Sequence, residues 1–116
     1  MKITAVVPCY NEQEALGLFY EELNRVTAEM RDCEFEILFV NDGSKDRTLE
    51  LMKELAEKDG RVKYISFSRN FGKEAAIYAG LEHASGDLVA IMDADLQDPP
   101  RLLPEMYRAV TEEGYD

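Results

Sequence analysis

The stretch "LVAIMDADLQDPP", residues 88–100, decides the fold class of this 116-residue chain. It starts with five apolar residues, continues with three aspartates in six positions, and ends in two prolines. A short, continuous apolar run is typical of a strand that is buried on both faces of a parallel sheet. Proline suits the first turn of a helix. The stretch therefore predicts a strand, a polar loop and a helix that begins at Pro100.

Three earlier apolar runs have the same character: "ITAVV" (3–7), "EILFV" (36–40) and "VKYIS" (62–66). Between the four runs, apolar residues recur at helical spacing over residues 13–30, 46–58 and 73–84. This alternation predicts an α/β fold, a doubly wound, mostly parallel sheet with helices on both faces. The length allows one domain, covering residues 1–116.

Polar residues gather at one end of the predicted strands, in "PCYNE" (8–12), "NDGSKDRT" (41–48), "FSRNFGKE" (67–74) and "DADLQDPP" (93–100). The opposite ends carry ordinary turns, such as "KDGR" (58–61). In doubly wound sheets, ligands bind beyond the carboxyl ends of the strands. We call this side of the sheet the carboxyl edge, and the sequence predicts a binding site there.

The charge and the cysteines limit the partners and the compartment. A net charge of −11 argues against a nucleic acid or an anionic membrane surface as a direct partner. Two cysteines make no disulfide framework, which favours a reducing, cytoplasmic environment. No signal peptide or membrane-spanning run is visible, so we expect a soluble chain, and its ending after a helical pattern suggests truncation.

Asp93 and Asp95 stand two positions apart after the fourth apolar run, so in an extended segment both carboxylates project the same way. Clustered like charges at a buried strand end are costly without a cation, and oxygen ligands suit Mg²⁺ or Mn²⁺. Gln97 continues the spacing. We therefore predict a metal site from Asp93, Asp95 and Gln97, whereas Asp98 suits a cap of the helix near Pro100.

Asp42 follows the second apolar run and precedes a turn glycine. A carboxylate here could accept a hydrogen bond from the ring N–H of a nucleobase. The alternative is an Asx-type turn that caps the following helix through Asp42, Ser44 or Asp46. Taken alone, the segment favours the turn.

The segment "PCYNE" (8–12) also has two interpretations. Tyr10 could stack on a base or sugar, and Glu12 could accept a hydrogen bond from a ribose hydroxyl. The alternative is that Asn11 or Glu12 simply begins the long helix. The residues themselves leave both open.

Arg69 and Lys73 bring positive charge to the carboxyl edge. They could hold a phosphate near the metal, or they could be ordinary surface charge. His83, in the third predicted helix, has no partner pattern and receives no role.

Together, four segments resemble the inverting family 2 glycosyltransferases: "VVPCYNE" (6–12), "FVNDGSKDRT" (39–48), "SFSRNFGKEAAIYAGLEHASGD" (66–87) and "MDADLQDPP" (92–100). The subgroup that is most similar contains dolichyl-phosphate mannosyltransferase and the bacterial polyprenyl-phosphate (bactoprenol) glycosyltransferases. It shares "SRNFGKE" followed by "DADLQDPP". The resemblance extends from Ile3 to Asp116.

The resemblance implies a Rossmann-like, nucleotide-sugar-binding half of a GT-A fold. It also implies metal-dependent, inverting transfer of a hexose from a nucleoside diphosphate sugar, of the UDP-glucose or GDP-mannose type, to an undecaprenyl or dolichyl phosphate. Family members continue past the equivalent of "GYD" (114–116) with segments that include the acceptor side. We therefore expect the amino-terminal part of a longer enzyme that works at the cytoplasmic face of a membrane.

The matched positions imply two groups of site residues. The nucleotide pocket would be lined by Pro8, Tyr10, Asn11 and Glu12, with Asp42 on the base. The metal and diphosphate would be surrounded by Asp93, Ala94, Asp95 and Gln97, which makes Asp93 and Asp95 the catalytic residues. One position departs from the family, because Asn41 stands where an aspartate is common.

Other classes of protein share part of this pattern. A non-catalytic nucleotide-sugar-binding module would keep the same pocket. A phospho-receiver domain has rim aspartates, Mg²⁺ and a lysine, but it needs an acidic pair where this chain has "PCYN" (8–11). A dinucleotide-binding domain needs a glycine-rich turn after the first strand, which is missing here.

Overall fold

The computed structural model describes residues 1–95 and 100–112, except for the side chain of Leu102. Its strands are β1 (Lys2–Cys9), β2 (Glu34–Asn41), β3 (Val62–Ser66) and β4 (Leu88–Ile91). They form one sheet in the order β3-β2-β1-β4, and every neighbouring pair is parallel. The predicted doubly wound α/β fold is confirmed.

The helices are α1 (Leu16–Glu29), α2 (Thr48–Lys58), α3 (Lys73–His83) and α4 (Leu103–Glu112). A short 3-10 turn, Pro100–Leu102, precedes α4. The first two helices begin two or three residues later than the apolar spacing predicts, because the residues before them belong to loops. The Gln13 side chain, for example, accepts a hydrogen bond from the backbone N–H of Arg47 in the next loop. Among the described residues, no helix combines the length and the apolarity needed to cross a membrane.

Alternate residues of β1 face opposite sides of the sheet. Ile3, Ala5 and Val7 are buried in a core with Leu16 and Phe19 of α1. The same core contains Met52 of α2 and Leu103 of α4, so α1, α2 and α4 cover this face.

The third helix, α3, covers the other face of the sheet. It contacts β1 and β2, and it buries Ala76 and Gly80 on its inner side. A Cβ on Gly80 would overlap the Val6 side chain, so the helix approaches β1 more closely than a larger residue would allow. Helices therefore lie on both faces, as predicted.

The strand order reverses beside β1. The chain moves from β1 to β2 and β3 in one direction, then crosses back to place β4 on the other side of β1. At such a reversal of strand order, a crevice lies between the neighbouring strands at the carboxyl edge, here between β1 and β4. A backbone hydrogen bond of 2.9 Å from Met92 N to Val6 O extends the pairing to the mouth of this crevice.

The opposite, amino edge of the sheet contains two closed polar networks. In the first, Arg61 donates to Asp59 and Asn24, and Tyr20 donates to Asp59 at 2.7 Å. The hydrogen bonds from Arg61 outweigh burial and hold the pKa of Asp59 well below its ordinary value. This network ties the turn before β3 to α1.

The second network surrounds Glu36, which is only 3% exposed. Its carboxylate accepts hydrogen bonds from the Thr4 hydroxyl at 2.9 Å and from the Ser85 backbone N–H and hydroxyl at 3.0 Å. Lys63 completes the set with an ion pair at 2.9 Å. Three strands and the turn before β4 therefore meet at one buried carboxylate.

Candidate functional site

A pocket lies in the crevice between β1 and β4. It is lined by Pro8, Cys9, Tyr10, Glu12, Asp42, Lys73, Asp93, Ala94 and Asp95. Its volume is about 160 Å³, and it opens to solvent at the edge of the sheet. All four loops of the carboxyl edge contribute to it.

The first loop supplies an aromatic wall and an acid. Pro8, the second-last residue of β1, is buried, whereas Tyr10 is 43% exposed. Glu12 is half-buried and also lines the pocket. An exposed aromatic ring at a pocket suits stacking on a flat ligand.

Asn11 is not among the lining residues of this pocket. Its backbone adopts a positive φ of 53°, and its amide groups face the second loop. The Asn11 N–H donates to the Ser44 hydroxyl, and Asn11 Oδ1 accepts from the Lys45 N–H, both at 2.9 Å. In this structure Asn11 joins two loops, and its predicted contact with the nucleotide stays a prediction.

The Asp42 carboxylate is buried, with 3% of the residue exposed, and it anchors the third loop. It accepts hydrogen bonds from the backbone N–H groups of Phe71, at 2.8 Å, and Gly72, at 3.1 Å. The Asn70 side chain donates to it at 3.2 Å. Neither sequence alternative anticipated these partners, which precede α3 rather than α2.

Gly43 allows the second and third loops to touch. It has a φ of +69°, and a Cβ at this position would overlap the backbone of Arg69 and Asn70. Just before α2, Asp46 forms an Asx-type turn, in which its carboxylate accepts a 2.9 Å hydrogen bond from the Thr48 N–H. The Asx-turn alternative therefore holds for Asp46.

Lys73, the first residue of α3, reaches across the pocket to the fourth loop. Its ammonium lies 2.8 Å from Asp93 Oδ1. Arg69 does not line the pocket, and its guanidinium instead lies 4.8 Å from the centre of the Phe71 ring. The structure brings Lys73, but not Arg69, to the predicted metal site.

The acids of the pocket repel one another. The pKa of Glu12 is raised, first by burial and then by the charges of Asp95, Asp46 and Asp93. A divalent cation beside Asp93 and Asp95 would relieve this repulsion, and their oxygen atoms suit Mg²⁺ or Mn²⁺.

Within residues 1–95 and 100–112, no group of three or more His, Cys, Asp or Glu residues could hold a metal ion by itself. Mg²⁺ is commonly bound by one or two carboxylates together with substrate phosphates. Asp93 and Asp95 fit such a shared site. Gln97, the third predicted ligand, and Asp98 lie outside the described residues.

Cys9 also lines the pocket, although it was not among the predicted site residues. Its position directly before Tyr10 could have indicated this. Burial, with a smaller contribution from the charge of Glu12, raises the pKa of its thiol well above the ordinary value. Cys9 is therefore an uncharged part of the wall rather than a nucleophile.

Comparison with known proteins agrees with this geometry. The model of glycosyl transferase family 2 matches residues 4–116. CsbB of Bacillus subtilis (strain 168) is 52% identical over 114 residues, which are 98% of this chain and 34% of that protein. The bactoprenol glucosyl transferase of Shigella phage SfV is 51% identical over 106 residues, or 91% of this chain and 34% of that protein. The chain thus spans about a third of the length of these curated relatives.

Solved structures share the fold. The mannosyltransferase PcManGT from Pyrobaculum calidifontis, in complex with GDP-Man and Mn²⁺, superposes with a TM-score of 0.80 and 24% identity. The match covers 95% of this chain and 32% of that one. TarS 1-349 of S. aureus, in complex with UDP-GlcNAc, gives a TM-score of 0.75, 24% identity and coverages of 97% and 32%.

Proposed function

Because the chain belongs to glycosyl transferase family 2, we propose that it forms the donor-binding part of a hexosyltransferase. The donor is a nucleoside diphosphate sugar of the UDP-glucose or GDP-mannose type, and the acceptor is a polyprenyl phosphate. A relative named bactoprenol glucosyl transferase supports this acceptor, and the solved complexes with GDP-Man and UDP-GlcNAc support this class of donor.

One observation carries the proposal. The crevice where the strand order reverses holds an aromatic ring, a buried acid, a lysine and three further carboxylates in one pocket. A nucleoside diphosphate sugar needs these groups in turn, for its base, its diphosphate and the cation that accompanies the diphosphate. The match is therefore chemical as well as topological.

The nucleoside is assigned to the wall made by the first two loops together with Ala94 of the fourth loop. Tyr10 stacks on it, Pro8 and Ala94 provide apolar contact, and Glu12 accepts from the ribose. Asp42 has three donors in this structure, and a carboxylate can accept about four hydrogen bonds. One more hydrogen bond, from the ring N–H of a base, is therefore compatible with its role in the third loop.

The diphosphate is assigned to Lys73 and the metal site. Asp93 and Asp95, with Gln97, would hold Mg²⁺ or Mn²⁺, which supplies positive charge to the departing diphosphate. Arg69 would add a second positive side chain, after leaving the Phe71 ring. Asn11 supports the pocket by holding the first and second loops together.

The reaction is a displacement at the anomeric carbon of the sugar. An oxygen atom of the acceptor phosphate forms the new bond, and the bond to the donor diphosphate breaks, so that its electron pair leaves with the diphosphate. Attack from the opposite side inverts the configuration. The acceptor is already largely ionised, because the second pKa of a phosphate monoester is about 6. It needs orientation more than a base, and the chain's one histidine, His83, ends α3 away from the pocket.

The place of action follows from the acceptor. A polyprenyl phosphate is held in a membrane, and the nucleotide sugars are made in the cytoplasm. We therefore propose that the enzyme works at the cytoplasmic face of the membrane. The acceptor site would require chain outside the described residues.

The proposal is tested by calorimetric titration of the protein with UDP-glucose and GDP-mannose, with and without Mn²⁺. We expect one of the two to bind in a Mn²⁺-dependent manner. In Asp95→Ala, the dependence on Mn²⁺ should disappear, because half of the carboxylate pair is lost. Absence of metal-dependent binding of both sugars by folded protein would overturn the assignment.

Asp32→Ala is the matched control, since it removes one exposed carboxylate far from the pocket. It should bind like the parent protein. A non-catalytic module would give the same titrations, so the enzyme is also assayed for transfer to polyprenyl phosphate. Binding without transfer, by a protein that includes the acceptor site, would favour the module.

A further inference from the structure

The ion pair between Lys73 and Asp93 occupies the carboxylate that the cation would use. Lys73 Nζ lies 2.8 Å from Asp93 Oδ1, where an ammonium and a carboxylate make a charge-assisted hydrogen bond. The Lys73 side chain is 61% exposed, and that of Asp93 is 21% exposed. The lysine is thus at the pocket mouth and the acid is deeper.

The backbone of Lys73 is fixed, whereas its side chain can turn. Asp42 holds the N–H groups of Phe71 and Gly72, the two residues before Lys73. These hydrogen bonds fix the start of α3 relative to β2. The flexible four-carbon stem of lysine lets the ammonium change partners without any movement of the helix.

Two cations compete for Asp93. A divalent cation bound to Asp93 and Asp95 would repel an ammonium that sits on the same carboxylate. A diphosphate offers the ammonium another anion within the same pocket. Binding of the diphosphate should therefore draw Lys73 away from Asp93 at the moment when the cation is needed there.

We propose that Lys73 couples the binding of the donor to the binding of the metal. Without a donor, its ammonium neutralises Asp93 and weakens the binding of a free divalent cation. With a donor, it contacts the diphosphate and leaves Asp93 to the cation. This inference rests on the proposed function, and it adds that the two ligands bind cooperatively because one side chain exchanges partners.

The test uses two separate titrations that do not depend on catalysis. Mn²⁺ alone is titrated into the protein and into Lys73→Gln, and the variant should bind it about two- to fivefold more tightly, the usual range for loss of a competing exposed ion pair. UDP and GDP are then titrated in the presence of a chelator. Here the variant should bind the preferred nucleotide about fivefold more weakly or worse, because a charge-assisted hydrogen bond is lost.

Tighter binding of Mn²⁺ and weaker binding of the nucleotide by Lys73→Gln predict a loss of coupling between the two ligands. Reciprocity requires that the factor by which Mn²⁺ improves UDP or GDP binding equals the factor by which the nucleotide improves Mn²⁺ binding. That factor should be smaller in Lys73→Gln than in the parent protein if the lysine adds to the cooperativity. Lys73→Arg keeps the charge and should retain the weak binding of Mn²⁺ alone.

Lys53→Gln is the matched control, because it removes one exposed lysine of α2 and changes the net charge equally. It should leave both titrations unchanged. The exchange is overturned if Lys73→Gln binds Mn²⁺ alone no more tightly than the parent protein does. It is also overturned if the affinity of Lys53→Gln for Mn²⁺ increases by the same factor. Metal-dependent sugar binding by the parent protein would then still stand, so failure of the exchange is distinguishable from failure of the proposed function.

Discussion

Glu36 shows how one buried residue can set the acid stability of the fold. Burial alone would raise its pKa, but hydrogen bonds from Lys63, Ser85 and Thr4 outweigh burial and lower it to about 2. A carboxyl group whose pKa is lowered in the folded state stabilises the fold fully when the pH is above its ordinary pKa, near 4.5. This stabilisation is lost as the pH falls toward about 2.

We therefore predict that Glu36→Gln lowers the free energy of unfolding at neutral pH by on the order of 2 kcal/mol. The difference between parent and variant should shrink between about pH 4.5 and about pH 2, because the parent loses its advantage there. Urea unfolding at several pH values measures this.

Glu34→Gln serves as the control for this pH series. Glu34 belongs to the same strand but is exposed, so its loss should change stability little. An equal destabilisation by both variants, or a Glu36→Gln effect that is constant with pH, would contradict the role given to the buried network.

At the scale of the element, the approach of α3 to the sheet depends on a missing side chain. Gly80 lies against Val6, and a Cβ there would overlap the valine. Alanine favours a helix over glycine by about 1 kcal/mol, but overpacking of a core costs about 1–3 kcal/mol. We predict that Gly80→Ala destabilises the protein.

Gly17→Ala provides the comparison, because Gly17 is also helical but has nothing within 4 Å of the place that an alanine methyl group would take. It should stabilise the protein by up to about 1 kcal/mol. Thermal unfolding of both variants separates packing from helix propensity. Equal stabilisation by the two would mean that α3 can move away from β1 at no cost.

At the scale of the whole molecule, the excess of acidic residues opposes folding. The net charge is −11, so like charges are brought closer when the chain becomes compact. Raising the salt concentration from about 0.01 M to about 0.15 M shortens the Debye length from about 30 Å to about 8 Å. We predict an increase in unfolding free energy on the order of 1 kcal/mol, measured by urea unfolding.

The same comparison near the sequence pI of about 4.5 is the control, since the net charge there is close to zero. Salt should then have little effect. A decrease of stability with salt at neutral pH would indicate that the surface ion pairs stabilise the fold by more than the net repulsion destabilises it.

Much of the fold could be predicted because it depends on local pattern. The apolar runs indicated the four strands, and the alternation with helices indicated a parallel sheet with helices on both faces. The starts of α1 and α2 were less predictable, because Gln13 forms hydrogen bonds with Asp46 and Arg47 across two loops instead of continuing a helix. Such partners lie far apart in sequence.

The site was predictable in position but less so in its contacts. In doubly wound sheets, ligands bind beyond the carboxyl ends of the strands. This rule predicted that Tyr10, Glu12, Asp93 and Asp95 lie at one edge, and they line one pocket. The partners of Asp42 could not be predicted, because Phe71 and Gly72 are 29 and 30 residues away and donate through their backbone. Ligand roles for these side chains remain predictions.

The two polar networks of the amino edge and the acidic pocket of the carboxyl edge lie at opposite ends of the same strands. Substitutions around Asp59 or Glu36 can therefore change stability without altering the residues that line the pocket. For protein engineering, this means that the two ends can be screened as separate libraries. A chimaera could keep the two amino-edge networks and exchange only the loops of the carboxyl edge, which would change the lining of the pocket without changing these networks.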